Sequence, residues 1–279
     1  MSWLCLLSPA KVNLQLAIMS KGADGYHQLS SLMQTLHLSD GLRMRSGPED
    51  RFVYSDSSLP QGQANLLSQA VRLFRQKSGY SLYIEAFLEK NIPVEAGLGG
   101  GSSNAATALF GCNQLAKQAG YPAVSEEILL RWAGEIGADV PFFFSLGSAC
   151  CEGRGERVYR IPFPGKTSVW IAKPPFGLST REVFQSLDLQ SLRSLARQPI
   201  WYNDLEIPAF SLRPELALFK REAEAQGSQV VMTGSGSAFV VQGPLPPIPK
   251  DWRVWKTDFA ERQPGAWYAG DFTGQSRYS

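Results

Sequence analysis

The stretch from Pro93 to Ala106 reads Pro-Val-Glu-Ala-Gly-Leu-Gly-Gly-Gly-Ser-Ser-Asn-Ala-Ala, so that four glycines fall within five positions just before an alanine-rich run. Glycine has no Cβ, and the backbone N–H groups of such a loop can therefore approach a ligand closely. The run after Ser102 favours a helix, whose N-terminus offers unpaired N–H donors and a partial positive charge. The segment predicts a phosphate-binding loop that leads into a helix.

Three common glycine loops do not fit this spacing. A P-loop needs Lys and then Ser or Thr after its last glycine, whereas Ser102 follows Gly101. A dinucleotide fingerprint that starts at Gly97 has Ser102 in place of its third glycine. The protein-kinase loop requires later Val-Ala-Ile-Lys, His-Arg-Asp and Asp-Phe-Gly motifs, which do not occur. A tight turn without a ligand remains the alternative.

The composition is that of a globular protein. The 279 residues are 44% hydrophobic and 19% charged, with a net charge of +2, and are long enough for two domains. The sequence has no basic run, which argues against nucleic acid as the main partner. The apolar run near the N-terminus is too short for a signal peptide or a membrane span, which predicts a cytoplasmic protein. The four cysteines lack Cys-x-x-Cys spacing and only two histidines accompany them, so we expect reduced thiols and no soft-metal cluster.

Hydrophobic periodicity divides the N-terminal half into strands and a helix. Residues 4–7 and 12–18 are predicted to be strands, the second of which places Lys11 and Asn13 on one face. Residues 42–44 and 51–54 indicate a hairpin around the turn-forming residues 46–50. A helix is expected from Ala64 to Ser78, followed by a strand over residues 80–88.

Two later segments place polar groups where a site could form. Ser125 is a suitable N-cap for a helix that ends at Gly137, and Asp139 follows in a stiff loop before Pro141. Asp139 either has a functional role in a cleft or caps a turn. After a linker at Pro162-Phe163-Pro164-Gly165, the loop Thr233-Gly234-Ser235-Gly236 joins two short strands and is either an anion-closing loop or a simple hairpin turn.

The segment Pro9–Leu14, the glycine loop and Thr233–Gly236 together resemble the three ordered motifs of the GHMP small-molecule kinases. The resemblance implies an α+β fold of two domains with the active site in the cleft between them. Residues 1–161 would form an N-terminal ribosomal-S5-domain-2-like domain with the ATP-binding glycine loop, and residues 162–279 a C-terminal ferredoxin-like α/β domain.

Three further motifs, Asp24–His27, Gly137–Phe143 and Asn203–Glu206, resemble one branch of this superfamily. That branch uses ATP to phosphorylate the 2-hydroxyl of 4-diphosphocytidyl-2-C-methyl-D-erythritol in non-mevalonate isoprenoid synthesis. A homoserine or mevalonate type of GHMP kinase would share the general motifs but not Asp-Gly-Tyr-His. A catalytically silent nucleotide-binding relative would have lost Lys11 or Asp139, and this chain has both.

The resemblance also implies roles for individual residues. Asp139 would accept the proton of the substrate hydroxyl, and Lys11 would stabilise the charge that develops there. The substrate-binding residues would be Asn13, Tyr26, His27 and Phe184. The ATP-binding residues would be Asn65, Lys90, Pro93, Val94, Glu95, Ala96, Gly97, Leu98, Gly99, Gly100, Gly101, Ser102, Ser103 and Asn104. Thr233, Gly234, Ser235 and Gly236 would form the phosphate-closing loop.

The expected ligands are ATP, Mg²⁺ held in part by Ser103, and a cytidine diphosphate substrate, with neither nucleic acid nor a membrane as partner. The resemblance leaves a monomer and a homodimer equally open. Glu95 departs from the family, which usually has a small neutral residue at this loop position. A carboxylate there would repel phosphate, so we expect it to point to solvent.

Overall fold

Eleven strands form one sheet in the computed structural model, which describes residues 2–22, 25–189 and 200–269. The strands are β1 (Leu4–Lys21), β2 (His27–Gly47), β3 (Arg51–Tyr54), β4 (Tyr83–Glu89), β5 (Ser148–Gly153), β6 (Arg157–Arg160), β7 (Ser168–Lys173), β8 (Tyr202–Asn203), β9 (Gln229–Met232), β10 (Phe239–Gln242) and β11 (Arg253–Ala260). The described α-helices are α1 (Leu66–Ser78), α2 (Gly100–Gln118), α3 (Glu126–Ile136), α4 (Thr180–Gln185), α5 (Glu206–Leu212) and α6 (Pro214–Ala225). None of these helices combines the length and the hydropathy that crossing a bilayer requires.

The N-terminal half is a sheet covered by helices. Its centre is the long antiparallel pair β1–β2, and β2 also pairs with β4 and β5. Helix α1 buries Leu67, Ala70, Val71 and Phe74, which recur at the spacing of one helical face. These side chains join those of α2, α3 and the 3₁₀ turn Pro141–Phe144 in one hydrophobic core.

The C-terminal half is a four-stranded antiparallel sheet in the order β9-β10-β7-β11. Counted along the chain, this is the 4-1-3-2 order of the ferredoxin-like arrangement, and α6 lies in the connection between β7 and β9. Helix α6 buries Leu216, Phe219 and Ala223. The connection from β10 to β11, residues 243–252, contains no helix.

Strand β11 joins the two halves. It pairs with β7 from Arg253 to Asp258 and with β2 through Phe259 and Ala260. The chain then returns to the N-terminal core, where Trp267 and Tyr268 are buried. Trp267 Nε1 donates to the carbonyl of Leu7 at 2.9 Å. The division of domains after residue 161 stays a prediction, and the last described residues pack in the core of the N-terminal half.

The fold confirms the α+β prediction and several local ones, and it corrects others. Helix α1 ends at Gly79 with φ 72°, and α3 begins after Ser125, whose Oγ accepts from Ile128 N at 3.4 Å. The two strands expected in residues 4–18 are one bulged strand, β1. The hairpin around residues 46–50 is wrong, because β2 pairs with β4 and β3 runs parallel to β4.

Candidate active site

The glycine loop follows β4 and ends in the N-terminus of α2. Ala96 and Leu98 are buried in a core between the two halves and anchor the loop. Gly97 and Gly99 have φ values of 72° and 67°, in the left-handed region that favours glycine. The first intrahelical bond runs from Ser103 N to Gly99 O at 2.8 Å, so that the three preceding N–H groups remain as donors for a ligand.

A buried carboxylate holds both ends of this loop. Asp40 on β2 is fully buried and accepts from Asn91 N at 2.7 Å, Ile92 N at 2.8 Å and Asn104 Nδ2 at 2.9 Å. Lys90 Nζ lies 2.9 Å from Asp40 Oδ2, and both side chains are almost inaccessible. Burial lowers the pKa of Lys90 although the carboxylate opposes this. Asp40 thus ties the entry of the loop to the first turns of α2.

Lys11 and Asp139 meet beside the loop. Lys11 Nζ lies 3.3 Å from Asp139 Oδ2, with side-chain exposures of 4% and 33%, so the carboxylate is the group that solvent reaches. Lys11 Nζ also donates to Asn13 Oδ1 at 2.7 Å, and Asn13 Nδ2 donates to Ser31 Oγ at 2.7 Å. A Cβ on Gly99 would lie 2.8 Å from Lys11 Cγ, so glycine is needed where the loop crosses this lysine.

The loop Thr233–Gly236 of the C-terminal half is in contact with the glycine loop. Thr233 is buried, and its Oγ1 accepts from Asn13 N at 3.0 Å and lies 3.2 Å from the carbonyl oxygen of Gly97. A Cβ on Gly97 would lie 2.0 Å from Thr233 O. The two loops therefore approach at a separation that only glycine permits, which brings Lys11, Asn13 and both loops into one site.

The motif Asn203–Glu206 holds the loop Thr233–Gly236 in place through hydrogen bonds. Buried Asn203 donates from Nδ2 to the carbonyls of Met232 and Gly234, both at 2.7 Å. Glu206 Oε1 accepts from Met232 N at 2.8 Å, and its other oxygen accepts from Lys220. These bonds fix the backbone on either side of Thr233.

Two of the predicted nucleoside-binding residues are in contact with each other. The rings of His27 and Phe184 are stacked with centroids 5.3 Å apart. Burial lowers the pKa of His27, which favours a neutral imidazole with one donor and one acceptor nitrogen. Tyr26 is 57% exposed, and Cζ of the Arg154 guanidinium lies 4.0 Å from the centroid of its ring. Asp24, from the same motif, lies outside the described residues.

Several predicted ATP-binding residues have partners within the protein. Asn65 caps α1, accepting from Leu67 N and donating to Pro60 O, both at 2.9 Å. Lys90 and Asn104 contact Asp40, as described above. Ser103 Oγ is buried and has no hydrogen-bond partner in the described part of the chain.

Glu95 is an exposed residue, but its carboxylate does not simply point to solvent as the sequence analysis expects. It has a φ of 52°, and its carboxylate lies against Gly177 of the C-terminal half, where a Cβ would be 2.5 Å from Oε2. Across residues 2–22, 25–189 and 200–269, no three His, Cys, Asp or Glu side chains form a cluster that could hold a metal.

Sequence reasoning missed Asp40 and Arg154 altogether and gave Asn203 no specific role. Asp40 contacts residues 50 or more positions further along the chain, and no local pattern predicts such contacts. Arg154 lies between two glycines, a signal of a specific turn that was available in the sequence.

Comparison with known proteins identifies the family. A family model described as the GHMP kinases N terminal domain matches residues 65–147. The chain is 44% identical to a 4-diphosphocytidyl-2-C-methyl-D-erythritol kinase of Protochlamydia amoebophila, over 95% of this chain and 92% of the relative. It is 39% identical to a chloroplastic/chromoplastic kinase of the same name from Solanum lycopersicum, over 99% of this chain and 75% of the relative.

Solved structures show the same relationship. A crystal structure of a 4-(cytidine 5'-diphospho)-2C-methyl-D-erythritol kinase is 34% identical, with a TM-score of 0.74, and the match covers 92% of this chain and 99% of that one. A homoserine kinase from Cytophaga hutchinsonii is only 18% identical, and its TM-score of 0.67 over 91% of this chain and 94% of that one shows the shared fold alone.

Proposed function

The chain belongs to the 4-diphosphocytidyl-2-C-methyl-D-erythritol kinase family of GHMP kinases, and we propose that it transfers the γ-phosphoryl group of ATP to the 2-hydroxyl of 4-diphosphocytidyl-2-C-methyl-D-erythritol. The observation that carries this proposal is the contact of Lys11 Nζ with Asp139 Oδ2 at 3.3 Å beside a glycine loop. A carboxylate and an ammonium next to phosphate-binding N–H groups suit phosphoryl transfer to an alcohol, which depends on positioning and charge stabilisation.

Asp139 and Lys11 have different roles at the acceptor hydroxyl. The Asp139 carboxylate, at 33% exposure, faces the open side of the cleft and accepts the proton of the 2-hydroxyl. Lys11 lies behind it and stabilises the negative charge that develops on the attacking oxygen. Asn13 keeps Lys11 Nζ in place through its Oδ1.

The nucleotide phosphates are held by the glycine loop and the N-terminus of α2. The N–H groups of Gly100, Gly101 and Ser102 precede the first intrahelical bond and are the donors for phosphate oxygens. Mg²⁺ binds such sites through few protein ligands and the substrate phosphates, and it neutralises phosphate charge. The unpartnered Oγ of Ser103 fits this role as a protein ligand.

Asp139→Asn tests the proposal. We expect turnover in an ATP-consumption assay to fall by roughly 10²- to 10⁴-fold, because the proton acceptor is lost. ATP affinity, measured by titration calorimetry, should stay close to that of the wild type. Asp56→Asn, which changes an exposed carboxylate bonded to Ser58, is the control and should keep normal turnover.

Two results would contradict the proposal. Near-normal turnover of Asp139→Asn would remove this carboxylate from the reaction. Wild-type activity on homoserine, mevalonate or galactose, without activity on the cytidine substrate, would assign the protein to a different GHMP kinase reaction.

A further inference from the structure

The hydrogen bonds around the Asn13 side chain can have only one direction. The Lys11 ammonium has donors and no acceptor, so the Asn13 atom 2.7 Å from Nζ is Oδ1. Asn13 Nδ2, which can only donate, then faces Ser31 Oγ at 2.7 Å. Ser31 Oγ carries one proton, which it donates to the carbonyl oxygen of Gln15 at 2.6 Å. A series of bonds of fixed polarity therefore runs from Gln15 through Ser31 and Asn13 to Lys11.

This series lies at an irregularity in the β1–β2 pair. The register of the pair shifts between Asn13 and Gln15, and Ser31 consequently pairs with Leu16. A bulge of this kind changes the direction of the side chains next to it. Ser31 bonds to both sides of the shift, to the Asn13 amide and to the Gln15 carbonyl. Because Ser31 and Asn13 are 0% and 1% exposed, water does not compete for these bonds.

The Ser31 hydroxyl determines which way the Asn13 amide faces. An amide oxygen and an amide nitrogen are similar in size, so packing alone does not distinguish the two orientations. In the reverse orientation Nδ2 would face the Lys11 ammonium, and two buried donors would lack an acceptor. Thr233 Oγ1 lies 3.3 Å from Asn13 Oδ1, but this hydroxyl can donate or accept and fits either orientation. Ser31 differs, because the Gln15 carbonyl takes its only proton.

The orientation of Asn13 matters because of Lys11. Lys11 Nζ contacts Asn13 Oδ1 at 2.7 Å and Asp139 Oδ2 at 3.3 Å. We propose that Ser31 is a positioning residue for phosphoryl transfer, which holds the Lys11 ammonium beside Asp139 through the Asn13 amide. Ser31 is fully buried and therefore does not touch either ligand. This role rests on the proposed function and adds to it a residue behind the ligand-binding surface.

Ser31→Ala tests this role, because it removes the hydroxyl and adds no atom. The rate of phosphoryl transfer should fall by about ten- to hundredfold, the cost of a small misplacement of a group that acts in the transition state. The rate is measured in single turnover at saturating ATP and cytidine substrate, which also resolves slow variants. KM for both ligands should change by less than about twofold, the pattern of an interaction that acts mainly in the transition state. Ser31→Thr keeps the hydroxyl and should recover most of the rate.

A double-mutant cycle and a control separate positioning from a loss of packing. In a Lys11→Met background, Ser31→Ala should change the rate by less than about twofold, because its effect passes through Lys11. The control is Ser148→Ala, since Ser148 is also a buried strand serine and its Oγ donates to Gln34 Oε1 at 2.5 Å. Ser148→Ala should lower Tm as Ser31→Ala does and should keep the rate of phosphoryl transfer.

Four results would overturn the role of Ser31. They are an unchanged rate in Ser31→Ala, an undiminished effect of Ser31→Ala in the Lys11→Met background, a Ser31→Thr protein that is folded by its Tm but as slow as Ser31→Ala, and a higher KM for the cytidine substrate at an unchanged rate. The last would mean that Ser31 acts on substrate binding. Wild-type protein that phosphorylates only homoserine, mevalonate or galactose would instead overturn the proposed function itself.

Discussion

Replacing Asp40 by Asn should weaken the anchoring of the glycine loop. In the wild type, Asp40 Oδ1 accepts from two backbone N–H groups, and Oδ2 accepts from Asn104 Nδ2 and Lys90 Nζ. An Asn side chain can keep one oxygen for the backbone, but its amide nitrogen would face two donors. Lys90 would remain buried without its counter-ion.

The size of the effect follows from this burial. Removing one partner of a buried ion pair costs about 3–5 kcal/mol, a large part of a typical stability of about 5–15 kcal/mol. At about 2–4 °C per kcal/mol, Tm should fall by roughly 6–20 °C. Because Asp40 ties both ends of the loop, kcat/KM for ATP should fall by up to about hundredfold, the cost of a small misplacement. KM for the cytidine substrate should not change.

A matched control lies at the other end of β4. Asp50 accepts from Ile84 N at 3.0 Å and pairs with Arg75 at 2.7 Å, but Arg75 is 27% exposed and remains hydrated when the carboxylate is lost. Thermal unfolding and ATP kinetics of Asp40→Asn and Asp50→Asn should be compared. Equal losses of Tm, or a loss in Asp40→Asn that spares kcat/KM for ATP, would refute the reasoning. Adding Lys90→Met to Asp40→Asn should restore part of the stability.

Two further predictions concern other parts of the site. Gly97→Ala should abolish ATP turnover, because its Cβ would lie 2.0 Å from Thr233 O, whereas Gly101→Ala, with 3.6 Å to the nearest atom, should keep it; equal activities would contradict this. Burial lowers the pKa of His27 below its usual 6.5, so the fall in cytidine affinity that accompanies protonation of the imidazole should have its midpoint below pH 6.5. An NMR titration midpoint of His27 at or above 6.5 would be the contrary result.

Elements with local signals were predictable from the sequence, and those that depend on distant partners were not. Helix α3 has its N-cap, acidic first turn and terminal glycine within a few residues, so its bounds agree closely with the prediction. The partner of β3 could not be predicted in this way. Residues 46–50 resemble a hairpin turn, but β4 pairs with the edge of β2 that a hairpin would use. Strand β11 has no alternating pattern that separates it from the aromatic residues around it, and only pairing with β7 defines it.

The candidate site shows the same division. The glycine loop, Lys11 and Asp139 could be named from motifs, and the structure brings Lys11 and Asp139 within 3.3 Å. A motif does not give the direction of a side chain, however. The motifs predict that Lys90 binds the nucleotide, and they do not show that its ammonium also contacts Asp40, a residue 50 positions earlier.

Strand β11 restricts how this protein can admit its ligands. Because the strand pairs with β7 from Arg253 to Asp258 and with β2 at Phe259 and Ala260, a backbone ladder joins the two halves. Rotation of one half against the other would break hydrogen bonds in that ladder. We therefore expect entry of ATP and release of products to depend on movement of the loops, among which Gly97 and Thr233 are in contact.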